Sequence, residues 1–215
     1  MMRAAFLLLM LPALIACAGI LKITPVSSAE KERIIKRCEA PFLKNRWRLV
    51  HLISGTLPGG ANASMIGVSV ASPQGGGIRC ILMSIEGFVF LDADYDGALV
   101  IKRGIGPFES ESFVKGVIRD ISLMLFRPGG EAAETGSSGE GSVCRYRSDG
   151  GVTEALMKDD GSVEIRAYDA SLNLMRLVAF KKLRHDGIPG RIELTGYGLL
   201  RYSLELDLIE AERLD

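Results

Sequence analysis

The segment that most constrains the fold is residues 201–208, Arg-Tyr-Ser-Leu-Glu-Leu-Asp-Leu. Tyr202, Leu204, Leu206 and Leu208 alternate without a break with Arg201, Ser203, Glu205 and Asp207. In a strand, a period of two puts the first set on one face and the second on the other. Such a strand belongs in an antiparallel sheet with one dry face and one wet face. The 25 glycines and the 7% aromatic content also suit a turn-rich β protein better than a helix bundle.

Upstream of that strand the chain reads as a meander interrupted by two helices. Ser27-Ser28-Ala29-Glu30 has the form of a capping box. It predicts a short amphipathic helix over 28–40, with Ile34, Ile35 and Cys38 on one side and Pro41 as the stop. Strands follow from Arg46 to Ser54, and over 63–71, 78–85, 88–91 and 98–102, separated by Gly-rich turns and by a turn at 92–97. A long helix comes next, with Glu109 and Glu111 in its first turn. Its apolar stripe is Phe113, Val117, Ile121 and Met124, widened by Val114, Ile118, Leu125 and Phe126. Arg127-Pro128-Gly129-Gly130 ends it, and the polar stretch 129–142 predicts a mobile surface loop. Strands resume at 163–168, 174–182, 191–194 and the closing segment 201–208. No internal repeat is visible.

The first segment bears on the compartment. Residues 4–16 carry no charge and follow Arg3, and a run of 13 is short for about 30 Å of hydrocarbon. The pattern is that of a signal peptide. Leu14-Ile15-Ala16-Cys17 resembles the bacterial lipobox. That resemblance implies cleavage after residue 16, and diacylglycerol and an N-acyl chain on Cys17, with no other cofactor. Two or more acyl chains hold a protein stably, at about 0.8 kcal/mol per buried methylene. Ala18 stands where an aspartate would favour inner-membrane retention, which points to the outer membrane, facing the periplasm. Residues 17–27 read as a lipidated tether, and 28–215 as a single domain.

A lipidated cysteine, a lead helix, an antiparallel meander, a central apolar helix and further strands together resemble the LolA/LolB family. The ending Ile188-Pro189-Gly190-Arg191-Ile192-Glu193-Leu194 followed by the 200–208 strand is the most telling piece. The resemblance implies a mainly β, α+β fold: a curved, antiparallel, incomplete β-barrel with a helical lid over an apolar cavity. It implies a non-enzymatic carrier or receptor for membrane-lipid or lipoprotein acyl chains, and a periplasmic carrier or envelope machinery protein as partner. The LolB type carries a protruding loop with an exposed leucine. Here the matching reversal is Ser84-Ile85-Glu86-Gly87, which is shorter, with Ile85 in that place.

A half-closed barrel leaves one sheet face to be covered, and a guest chain gains about 0.8 kcal/mol per methylene buried there. The candidate lining is Trp47, Leu49, Met65, Ile81, Met83, Phe88, Phe90, Phe113, Val117, Ile121 and Leu125. Taken singly, each is also an ordinary core residue. If all of them close the core, the alternative is a structural or accessory outer-membrane lipoprotein that docks a protein partner.

Other chemistry is weakly supported. Charges balance at 26 basic and 26 acidic residues, with no basic tract for a nucleic acid. Asp92-Ala93-Asp94-Tyr95-Asp96-Gly97 opens like a calcium loop, but the twelfth position is Arg103, and a hairpin turn is the better reading. Cys38, Cys80 and Cys144 allow one disulfide and one thiol in an oxidising compartment, with pairing left open. No CxxC spacing supports a metal site, and His51 and His185 form no ligand pair. No GxSxG elbow is present.

Overall fold

The computed structural model describes residues 19–57, 59–184, 187–198 and 201–214. The signal segment 1–16, Cys17 and His185 lie outside these residues.

In chain order the elements are β1 (Thr24–Pro25), α1 (Ser28–Glu39), β2 (Trp47–Thr56), β3 (Asn62–Ser72), β4 (Gly77–Met83), β5 (Val89–Tyr95) and β6 (Leu99–Gly104). A 3-10 turn (Gly106–Glu109) leads into α2 (Glu111–Leu125). Then come β7 (Glu134–Ser138), β8 (Gly141–Ser148), β9 (Gly151–Lys158), β10 (Val163–Tyr168), β11 (Leu174–Leu183), β12 (Pro189–Gly196) and β13 (Tyr202–Arg213).

Among the described residues thirteen strands form one sheet, in the order β1-β7-β8-β9-β10-β11-β12-β13-β2-β3-β4-β5-β6. Every neighbouring pair is antiparallel. The closing strand β13 lies at the centre, pairing β12 on one side and β2 on the other. Its alternation is as read: Leu206 is buried, and Tyr202, Leu204 and Leu208 pack on the core, until a bulge near Ile209 shifts the register. The order ends at β1 and β6, which do not pair, so the sheet is an incomplete barrel, with both helices on its inner face.

The lead helix starts at the expected cap, with Ser27 Oγ accepting from the Glu30 amide at 3.4 Å. It buries Ile34 and Cys38, and a disulfide joins Cys38 to Cys144 on β8. Cys80 is left as a buried thiol.

Three local readings are corrected. Residues 92–95 are not a turn but part of β5. Ala93 faces the core there, while Asp92 and Asp94 face outward and pair with Arg79 and Lys102 on the flanking strands. The predicted loop 129–142 contains β7, whose Glu-Thr-Gly-Ser-Ser sequence has no apolar alternation and takes its register from β8. Glu109 lies in the 3-10 turn rather than in α2, whose cap is Ser110, with Oγ 3.4 Å from the Phe113 amide.

The segment read as a tether also has a place in the fold. The Leu21 amide donates to Glu154 Oε1 at 3.2 Å, and its carbonyl accepts from Arg145. The Gly19 carbonyl lies 3.5 Å from the Tyr168 hydroxyl. Arg145, Glu154 and Tyr168 occupy the outer face of β8, β9 and β10, since Cys144, Ala155 and Ile165 belong to the core beneath. Thr24 and Pro25 then pair with Ser137 and Gly136. A Cβ on Gly136 would lie 2.1 Å from the Thr24 carbonyl, so only glycine permits this approach. The chain thus crosses the sheet edge from the outer face to the inner one.

Candidate functional site

The inner face of the central strands is set by alternation. It presents Ile53 and His51 from β2, Met65, Gly67 and Ser69 from β3, and Cys80 and Leu82 from β4. From the other side come Ile192 and Leu194 of β12, with Tyr202, Leu204 and Leu206 of β13. α2 lies over this floor. Its Val114 and Ile118 are buried in the core, while Phe113, Gly116, Val117, Asp120, Ile121, Met124 and Leu125 face the space between helix and sheet.

That space is a cavity of about 310 Å³ with a predominantly apolar wall. It persists because several facing positions are small. Gly67, Ser69 and Cys80 lie on the floor and Gly116 in the lid, and a Cβ placed on Gly116 would touch nothing within 4 Å. A close-packed interior leaves few voids larger than a water molecule, so an opening of this size is a built feature.

One end of the cavity is polar. Arg176 of β11 donates from Nε to Asp120 Oδ1 at 2.8 Å, and the Tyr202 hydroxyl donates to Asp120 Oδ2. The guanidinium also lies over the Tyr202 ring, 5.2 Å from its centroid. The ring lies against Gly196, where any side chain would collide with it. Burial, with the Asp120 carboxylate beside it, pushes the Tyr202 hydroxyl pKa up. This cluster ties the lid helix to the sheet at the rim.

Two further groups line the wall. Burial lowers the His51 pKa to about 4 against the opposing pull of Asp207, so the ring is neutral at pH 7. Burial, with help from Asp92, pushes the Cys80 thiol up to about 12, which leaves it a poor nucleophile. Among the described residues no group of three or more His, Cys, Asp or Glu side chains is placed to hold a metal ion.

Of the predicted lining residues, the structure brings Met65, Phe113, Val117, Ile121 and Leu125 together around the cavity. The other six lie elsewhere. Leu49 is buried in the closed core, and Trp47 packs partly buried beside it. Ile81 and Met83 point outward, because Ile78, Cys80 and Leu82 take the inner face of β4. Phe90 is opposite in phase to the buried Leu91 and Ala93. Phe88 is half exposed at the β4–β5 turn, edge-on to Phe90 at 5.3 Å. The polar and small members of the site, His51, Gly67, Ser69, Asp120, Arg176 and Tyr202, were not predicted. The phase of Tyr202 was legible from its strand; the others carry no local signal.

No protein-family model matches the chain, and no curated protein matches it in sequence. Solved structures do resemble it in fold. A LolA superfamily protein from Nitrosomonas europaea superposes with a TM-score of 0.56 at 10% identity, covering 86% of this chain and 94% of that one. A putative outer membrane lipoprotein-sorting protein domain from Vibrio parahaemolyticus gives 0.45 at 12% identity, covering 87% and 94%. A DUF1329 family protein from Desulfovibrio piger gives 0.44 at 12% identity, covering 89% and 94%. The chain therefore has a LolA/LolB-like fold: an open antiparallel barrel with helices on its concave side.

Proposed function

We propose that this protein is a lipid-anchored envelope lipoprotein whose cavity takes up a single acyl chain, as a non-enzymatic carrier or receptor. The observation that carries this reading is the open, mostly apolar space of about 310 Å³ under α2. It sits at the small end of the roughly 300–1,000 Å³ range of ligand pockets, a size for one chain rather than several. A concave face filled by the protein's own side chains would have favoured the partner-docking alternative.

The polar rim suits the same ligand. An acyl chain enters an apolar space through methylene burial alone, while its ester or carboxyl end stays near groups that can hydrogen-bond it. Arg176 and Tyr202 stand at that position. The lipobox-like Cys17 supplies the anchor in this reading, and the fold likeness to a LolA superfamily protein supports the carrier class. Among the described residues no helix is long and apolar enough to cross a membrane.

Native mass spectrometry of the gently purified full chain tests the cavity. Bound lipid is expected on the wild type and none on Gly116→Trp, which fills the space from the lid. A ligand-free wild type, or equal loading of the filled variant, overturns the reading. Labelling with radioactive palmitate tests the anchor, and Cys17→Ala should abolish the label.

A further inference from the structure

The strands alternate in direction, so the β2–β3, β4–β5, β8–β9, β10–β11 and β12–β13 connections all lie at one end of the barrel. Three independent features meet there. The first is the cavity opening. Among its exposed and partly exposed lining residues, Leu57, Phe108, Ser112, Phe113, Arg176 and Tyr202 sit at this end, while Cys80, Met124 and Ile192 close the buried depth.

The second is apolar side chains at the turn tips. Ile85 is 62% exposed, Phe88 50%, Leu172 43% and Tyr197 36%. They come from three separate connections that pack on no common core. Leu172 also holds a left-handed backbone, φ +63°, which glycine or asparagine adopts at far lower cost.

The third is the start of the docked N-terminal segment. Gly19 lies at Tyr168, the residue of β10 nearest this end, and the buried Arg145–Glu154 pair grips Leu21 farther along the outer face. Only Ala18 then separates Gly19 from Cys17, a reach of about 7 Å.

We infer that residues 19–25 are a strap that holds the domain on its anchor in one orientation, with the cavity mouth and the turn tips turned into the headgroup layer of the bilayer. The inference rests on lipidation of Cys17 as proposed above. A 7 Å connection cannot place the acyl chains in a membrane lying at the opposite end. The apolar tips then meet lipid rather than water, and a chain leaving the bilayer enters the cavity without crossing an aqueous gap.

Depth-dependent quenching of tryptophan tests this. Trp47 is the only tryptophan, at the start of β2 and so at the far end of the barrel, about 30 Å from the turn tips. The full lipidated chain is incorporated into phosphatidylethanolamine–phosphatidylglycerol vesicles with brominated acyl chains. Native Trp47 should keep its emission, whereas Leu172→Trp and Ile85→Trp, each in a Trp47→Phe background, should lose most of theirs. A ten-residue Gly-Ser insertion between Ala18 and Gly19 leaves the strap docked but lengthens the connection, and should restore the tip emission without releasing the protein. Unquenched tips on a protein that floats with the vesicles overturn the docking inference and leave the anchor standing. Tip quenching unchanged by the insertion overturns the role given to the strap. Loss of flotation, with no added mass on Cys17, overturns the anchor and this inference together.

Discussion

Asp120 on the lid helix and Arg176 on the sheet meet at 2.8 Å, and the Tyr202 hydroxyl closes on the other carboxylate oxygen. One carboxylate therefore joins α2 to two strands across the cavity rim. The pair is largely shielded, with side chains 13% and 19% exposed, so its hydrogen bonds are stronger than a surface ion pair's.

Replacing Asp120 by Ala removes the joint and leaves Arg176 without its acceptor. The expected cost is about 1.5–3 kcal/mol in urea denaturation. The local effect is more specific. Amides of α2 should exchange with deuterium faster in the variant, while those of β8 and β9, remote from the rim, stay protected.

His51 makes stability depend on mild acid. Its folded pKa, about 4, lies below the ordinary 6.5, so the unfolded chain binds the extra proton first. The stabilisation is complete above pH 6.5 and falls as the pH drops from there towards 4. Between pH 7 and pH 5 the wild type should lose about 2 kcal/mol of unfolding free energy. His51→Gln should flatten that profile, measured by urea titration at each pH.

The disulfide links residues 106 apart, so its loss frees a long loop in the unfolded chain. The Cys38→Ser/Cys144→Ser double variant should be less stable by about 2–5 kcal/mol in denaturant unfolding. Cys80, buried and with a raised pKa, should stay unreacted towards iodoacetamide in the folded protein and react once it is unfolded.

Arg145 and Glu154 form a buried pair at 2.6 Å that also holds the Leu21 backbone. Arg145→Met leaves a charge without its partner and should cost about 3–5 kcal/mol. Adding Glu154→Leu to that variant should recover much of the loss, because the unpaired charge is then gone. A double-mutant cycle in urea reads the coupling directly.

Much of the scaffold was open to local reading. Ser27 and Pro41 bound α1 because a cap and a stop are local devices. The 201–208 alternation marked a strand with one dry face, since period and burial are linked by geometry alone. The apolar stripe from Phe113 to Leu125 marked α2 and supplied four of the five predicted lining residues that reach the cavity.

Local pattern failed where both faces of a strand are apolar. From Ile78, β4 reads Ile-Arg-Cys-Ile-Leu-Met, and a shift of one residue exchanges Ile81 and Met83 for Cys80 and Leu82. Only pairing with β3 and β5 settles which set faces in.

Sequence alone determined the periodicities, the caps and the stops, because those depend on residues within a few positions of one another. Tertiary structure decided the rest. The cavity exists where the small residues Gly67 and Ser69 of β3 and Cys80 of β4 lie opposite Gly116 of α2, and a space shared by three elements has no signature in a single segment. The buried Arg145–Glu154 pair and the docked strap arise in the same way: β8, β9 and the N-terminal segment must first come together before either charge can leave water.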